Sequence, residues 1–228
     1  MATSKAQRVG ISIILAITIL GTIGSFAVMI LSQKNLTEDA KRQQQELADY
    51  QQKYQAYQAQ VLAQADELSA KYYPTFSQYV GRVGEFSLDE AEKGGLQTED
   101  FLVGDGEDVT GDTNLSAYYV GWLPNGNIFD QSVKDGKLSS PIALGPKLSE
   151  AGVIEGWREG IKGMKIGGVR IITIPSEKAY GETGSKDATG KETIPANTPL
   201  KFLVMAVPTP AEISMPAYPQ SLLQGGVY

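Results

Sequence analysis

The chain has 228 residues, no Cys, no His and a formal net charge of −6. That length holds one large or two small domains. The missing residue types exclude thiol nucleophiles, disulfides, Cys/His zinc sites and every His-based triad, and the acidic balance excludes a nucleic-acid partner.

In chain order, Lys5 and Arg8 sit in a short tail, residues 1–8, that contains no acid. Val9 to Leu31 follow, 23 residues without a charge. As a helix this run reaches ~34 Å, against a hydrocarbon core of about 30 Å. It predicts a transmembrane anchor over 9–31, with the N-terminus inside and the C-terminal domain extracytoplasmic, at the cell surface or in the periplasm. A cleaved signal peptide is the rival reading, but its apolar region is usually shorter and ends in a small-residue cleavage pattern.

Residues 33–73 are predicted to form a helical stalk, since Asn35 to Tyr73 contain neither Gly nor Pro. Leu36, Ala40, Gln43, Leu47, Tyr50, Tyr54, Tyr57, Val61, Gln64 and Leu68 step by alternating fours and threes, which is a heptad seam. Two readings stay open: a coiled coil that makes a weak homo-oligomer through residues 36–68, and a spacer or a helix packed on its own domain. Pro74 is expected to end the helix. The connector, 74–95, places Phe76, Tyr79, Val80, Val83 and Phe86 on one helical face that can dock on a globular domain, with Gly81, Gly84, Gly94 and Gly95 interrupting it.

The globular domain spans 96–208. Leu115 to Leu123 reads as a strand, Pro124 to Asn127 as a turn, and Ile128 and Phe129 as the return. Val153, Ile154, Trp157, Ile161 and Met164 fall on one side of a short helix. Val169 to Ile174 and Leu200 to Val207 are predominantly apolar, as central strands are. One short helix against several antiparallel strands gives an α+β class. The tail, 209–228, holds Pro210, Pro216 and Pro219 and is expected to be extended. Gly184 to Lys191 imitates a P-loop with the wrong glycine spacing, and the acids Asp105, Glu107, Asp108 and Asp112 lack the spacing of a calcium loop.

Within the domain, Tyr119-Val120-Gly121-Trp122-Leu123, Gly126 and Phe129-Asp130 are followed by Leu144-Gly145, the run Val153 to Ile161, Ala179-Tyr180-Gly181 and Ile194-Pro195. In this order and spacing the residues resemble the FKBP-type peptidyl-prolyl cis-trans isomerases. The resemblance covers roughly half the chain. It implies an antiparallel sheet curled around a short helix, and a substrate of Pro-containing polypeptide.

It also implies a site. Trp157 is the floor under the proline ring, and Phe129 and Phe202 are walls. The Ile154 N–H and the Tyr180 hydroxyl hold substrate carbonyls, Asp130 is positioned by Tyr119, and Val153 and Ile194 complete the lining. No cofactor and no metal is implied, because rotation about a C–N bond needs no nucleophile. Two departures stand out. Ser139-Ser140-Pro141-Ile142 replaces an aromatic wall, and the loop from Gly181 to Thr193 is long and polar. They leave two alternatives to turnover in play: a peptide-binding chaperone module using the same pocket, and a structural surface protein.

Overall fold

The computed structural model describes residues 38–223. The predicted anchor at 9–31 and the start of the stalk lie outside the described residues. Among the described residues no helix is long and apolar enough to cross a membrane. Those residues divide into two compact units, 38–59 with 214–223, and 60–213.

The chain opens with α1 (Glu38–Val80) and α2 (Leu88–Lys93). Strands β1 (Gln97–Leu102), β2 (Leu115–Trp122) and β3 (Ile128–Gln131) follow. Next come the short strands β4 (Val133–Lys134), β5 (Lys137–Leu138) and β6 (Ile142–Ala143). Helix α3 (Glu155–Ile161) precedes β7 (Val169–Ile174), β8 (Ser185–Lys186), β9 (Glu192–Ile194) and β10 (Leu200–Pro208). The main sheet is antiparallel in the order β1-β7-β10-β2-β3, and β6 joins β2 beside β3.

Both faces of this sheet are covered, which is why β7 and β10 carry apolar residues on both sides, interrupted only by Arg170, Thr173 and Lys201. Phe202, Val204 and Ala206 of β10 join Ile172 and Ile174 of β7 in a core with Trp157 and Ile161 of α3. The intervening Leu203, Met205 and Val207 face the other way, with Val169, Ile171, Tyr118, Val120 and Trp122. Tyr72 and Phe76 of α1 are buried against that second core, and Tyr79, Val80, Val83 and Phe86 pack on it. The apolar face expected of the connector therefore docks on the sheet. Helix α3 lies close on β7 through two glycines: a Cβ at Gly156 would stand 2.3 Å from Ile174 Cγ2, and one at Gly160 2.5 Å from Ile172 Cγ2.

The helix does not end at Pro74 as predicted; α1 runs through it to Val80. Proline removes one helical hydrogen bond and crowds the preceding turn. Here the burial of Ser69, Tyr72 and Phe76 holds the helix on both sides of the break, and Gln78 Nε2 donates to the Pro74 carbonyl at 2.7 Å. The connector thus begins as helix and ends in a second one, whose start is capped by Ser87 Oγ accepting from Glu90 N at 3.2 Å. Helix α3 is also shorter than the apolar pattern suggests. It stops at Ile161, and Gly163 turns the chain at φ +76 before the buried Met164. In the described part of the tail, residues 209–223, Gln220–Leu222 forms a 3-10 turn and the rest is irregular.

The predicted seam is half-buried from Ala40 to Leu68, and part of its cover is the chain's own tail. In the first unit Tyr50 meets Tyr218 edge-on at 5.0 Å, and Ser221 Oγ bonds Glu46. In the second, Gln64 Nε2 donates to the Ala211 carbonyl at 2.8 Å.

Candidate active site

Four aromatic rings meet at the sheet face that carries α3. Strand pairing puts Phe202 opposite Gly121, and Asp130 opposite Gly121 from the other side. Phe202 stands edge-on to Trp157 at 5.3 Å and to Phe129 at 5.5 Å. Tyr119 is edge-on to Trp157 at 5.2 Å. Such edge-to-face contacts are the preferred geometry of aromatic pairs. Gly121 makes the assembly fit, because a Cβ there would come within 2.8 Å of both Phe129 Cζ and Phe202 Cε1. Trp157, Phe202 and Ile194 are buried, while Tyr119, Phe129, Val153 and Ile154 are half-buried against them.

One acid sits at the rim. Tyr119 Oη donates to Asp130 Oδ2 at 2.6 Å, and Gln131 N donates to Asp130 Oδ1 at 2.8 Å. The carboxylate is thus oriented from both oxygens. Burial, then the bond to Asp130 and its charge, push the Tyr119 hydroxyl far above the ordinary phenol range. Burial and the same carboxylate raise Tyr180, which is 38% exposed. Both phenols therefore stay protonated through neutral pH and keep an O–H to donate.

The helix entry is fixed by a residue not anticipated from sequence. Arg158 Nη1 donates to the Val153 carbonyl at 2.6 Å and to the Ala151 carbonyl at 3.3 Å, clamping the segment that presents Val153 and Ile154. Ile154 is the N-cap of α3, and its carbonyl accepts from Trp157 N and Arg158 N. Its N–H has no acceptor among the described residues, as expected of a helix start, and can serve a bound chain. At the other end of α3, the buried Arg170 donates to the Gly160 and Lys162 carbonyls at 3.0 Å each. It also grips Asp100 with two bonds of 2.7 and 2.9 Å. Cationic donors at a helix C-terminus satisfy the orphan carbonyls.

All nine residues named from the sequence lie in this region of the fold. Ile142 joins them, half-buried on the same core; it follows the serines that replace the expected aromatic wall. Ser139 serves the backbone instead: its N and Oγ both donate to the Ser132 carbonyl, at 2.9 and 3.1 Å. The long polar loop forms the β8–β9 hairpin. Its tip is an Asp187 turn in which the carboxylate accepts from Thr189 N, Thr189 Oγ1 and Lys191 N. This is the stretch that imitates a P-loop. A separate groove of about 310 Å³ lies on the opposite side of the sheet, lined by Asp66, Ser69, Tyr73, Pro74 and Lys137; none of the nine residues reaches it.

Known proteins are similar to this chain over the segment that holds these residues. A family profile described as FKBP-type peptidyl-prolyl cis-trans isomerase matches residues 106–207. A protein of Neisseria meningitidis serogroup B named FK506-binding protein is 44% identical over 92 residues, which is 40% of this chain and 80% of the relative. A Saccharomyces cerevisiae protein named peptidyl-prolyl cis-trans isomerase is 38% identical over 115 residues, 50% of this chain but only 25% of that longer protein. Among solved structures, AtFKBP13 is similar at 33% identity and a TM-score of 0.45, over 52% of this chain and 96% of the other.

Proposed function

Because the chain belongs to the FKBP-type peptidyl-prolyl cis-trans isomerase family, we propose that it catalyses Xaa-Pro isomerisation in polypeptides outside the cytoplasm, anchored to a membrane through residues 9–31. The observation that carries the catalytic reading is the four-ring cluster with the Tyr119–Asp130 bond at its rim.

The chemistry follows from what rotation requires. A planar amide resists twisting with a barrier of about 18–20 kcal/mol. In the twisted state the nitrogen lone pair is localised and the amide dipole falls. A pocket that excludes water favours that less polar state over the planar one. Trp157, Phe129 and Phe202 supply the dry walls for the pyrrolidine ring. The Ile154 N–H and the Tyr180 hydroxyl hold flanking carbonyls, so one side of the bond is fixed while the other turns. Asp130, held by Tyr119, sets the polarity of the rim.

The uncharged run Val9 to Leu31 and the cations Lys5 and Arg8 support the anchor and its direction. The half-buried seam of α1 supports weak self-association of the stalk, in competition with the tail that covers part of it. The decisive experiment is exchange spectroscopy of short Xaa-Pro peptides with the full chain. Acceleration of cis-trans exchange is expected; a folded protein that accelerates none overturns the enzyme reading and leaves peptide holding. An alkaline wash of membranes is expected to leave the protein in the pellet, and a soluble species beginning near residue 33 would overturn the anchor.

A further inference from the structure

The loop that carries Tyr180 is gripped by a residue that lies before the family-matched segment. Strand β7 ends at Ile174, and the chain passes through Pro175 into the 3-10 turn Ser176–Lys178, two residues before Tyr180. A turn of this kind begins with N–H groups that have no partner inside it. Glu92 on α2 fills that need: its Oε1 accepts from Ser176 N at 3.0 Å, across 84 residues of sequence. From the other side, Lys178 Nζ donates to Glu155 at 2.8 Å and to Glu159 at 2.6 Å, both on α3. The turn is therefore held between the helix that presents Trp157 and a helix lying before the matched residues 106–207.

Helix α2 is itself fixed to the domain. Ala91 is buried, Phe86 N donates to the Pro124 carbonyl at 3.1 Å, and Lys201 Nζ lies 4.6 Å over the Phe86 ring. The connector touches both the β2–β3 turn and the Tyr180 loop.

We propose that Glu92 is a positioning residue for prolyl isomerisation, acting through the Ser176 N–H to hold the Tyr180 hydroxyl where it meets substrate. The inference rests on the reading of the site given above. A hydroxyl presented from a loop works only when the loop is held, and displacements of an ångström are costly in catalysis. The connector is then part of the enzyme.

The test uses the full chain. Glu92→Ala is expected to lower kcat/KM on an Xaa-Pro peptide about fivefold. Glu92→Gln keeps an oxygen to accept the N–H and is expected to stay within about twofold of the parent. In a Tyr180→Phe background, which lacks the hydroxyl, Glu92→Ala is expected to add almost nothing, since coupled residues are not additive. Full activity of Glu92→Ala, or an equal loss with and without the Tyr180 hydroxyl, overturns the proposal. Amide exchange of residues 176–181 gives a readout independent of turnover. Glu92→Ala is expected to speed it and Glu92→Gln is not; unchanged exchange overturns the proposal. A parent chain without turnover would overturn the enzyme reading, and the loop restraint would still be decided by exchange.

Discussion

At the scale of single residues, the proposed site rests on apolar walls and protonated phenols. Phe129→Ala removes a half-buried wall that contacts Phe202 at 5.5 Å. It is expected to cut kcat/KM by about tenfold or more while the melting temperature moves little, because a water-filled site no longer favours the twisted amide. Tyr180→Phe keeps the ring and is expected to cost less. Peptide exchange rates and thermal melts check both. The raised Tyr119 and Tyr180 phenols predict a level pH profile from about 6 to 9.5, since neither reaches its ionisation there. Above that range the fold itself weakens. Tyr118 is pushed up to about 12 by burial and by Tyr72, so with Tyr119 and Tyr180 it binds its proton more tightly folded than unfolded. Their contribution is fully present below the unfolded phenol value of about 10 and is lost as pH climbs through the raised folded values. Denaturant midpoints at pH 8 and pH 11 are expected to differ in that direction.

At the scale of elements, the joints matter more than the spans. Arg170 ties β7 to β1 through Asp100 and closes the end of α3. Arg170→Met strips a largely buried cation from an acid and two carbonyls, at an expected cost of about 3 kcal/mol in chemical denaturation. Pro74 works in the opposite direction. Pro74→Ala restores an amide N–H inside α1 and relieves the turn before it, and is expected to raise the melting temperature by a few degrees. The motif residues from Tyr119 to Ile194 could be placed from sequence because they are short, ordered and chemically distinct, and the apolar runs of β7 and β10 marked the centre of the sheet. The passage of α1 through Pro74 could not, since local propensity opposed it and only packing against Tyr118 and Leu203 overrides it. Arg158, Arg170 and Glu92 were equally hidden. Each acts through partners several to tens of residues away, and a lone charged side chain carries no periodic signal.

At the scale of the molecule, the family-matched segment does not end where its core ends. One face of the sheet is closed by α3, from inside that segment, and the other by Tyr72 and Phe76, from outside it. A fragment starting at residue 96 would bare Tyr118, Val120, Leu203 and Met205, and contiguous exposed apolar surface of that kind drives association. It is expected to aggregate or melt well below a fragment starting at residue 60, as light scattering on heating would show. Deleting residues 209–228 uncovers the contact made by Gln64 on the tail, and is expected to strengthen concentration-dependent self-association in sedimentation.

The order of strands has a consequence for how the protein is made. β10, the last strand of the described residues, lies between β7 and β2. A ribosome delivers β2 and β7 first, and neither can pair with the other. Until residues near 200–208 emerge, the growing chain holds two unzipped edges and two half-built cores. Assembly therefore waits for the whole domain and cannot proceed piece by piece during synthesis. Such a chain stays pliant for most of its elongation, which suits threading through a narrow passage, and becomes rigid in one late step when the central strand slots in.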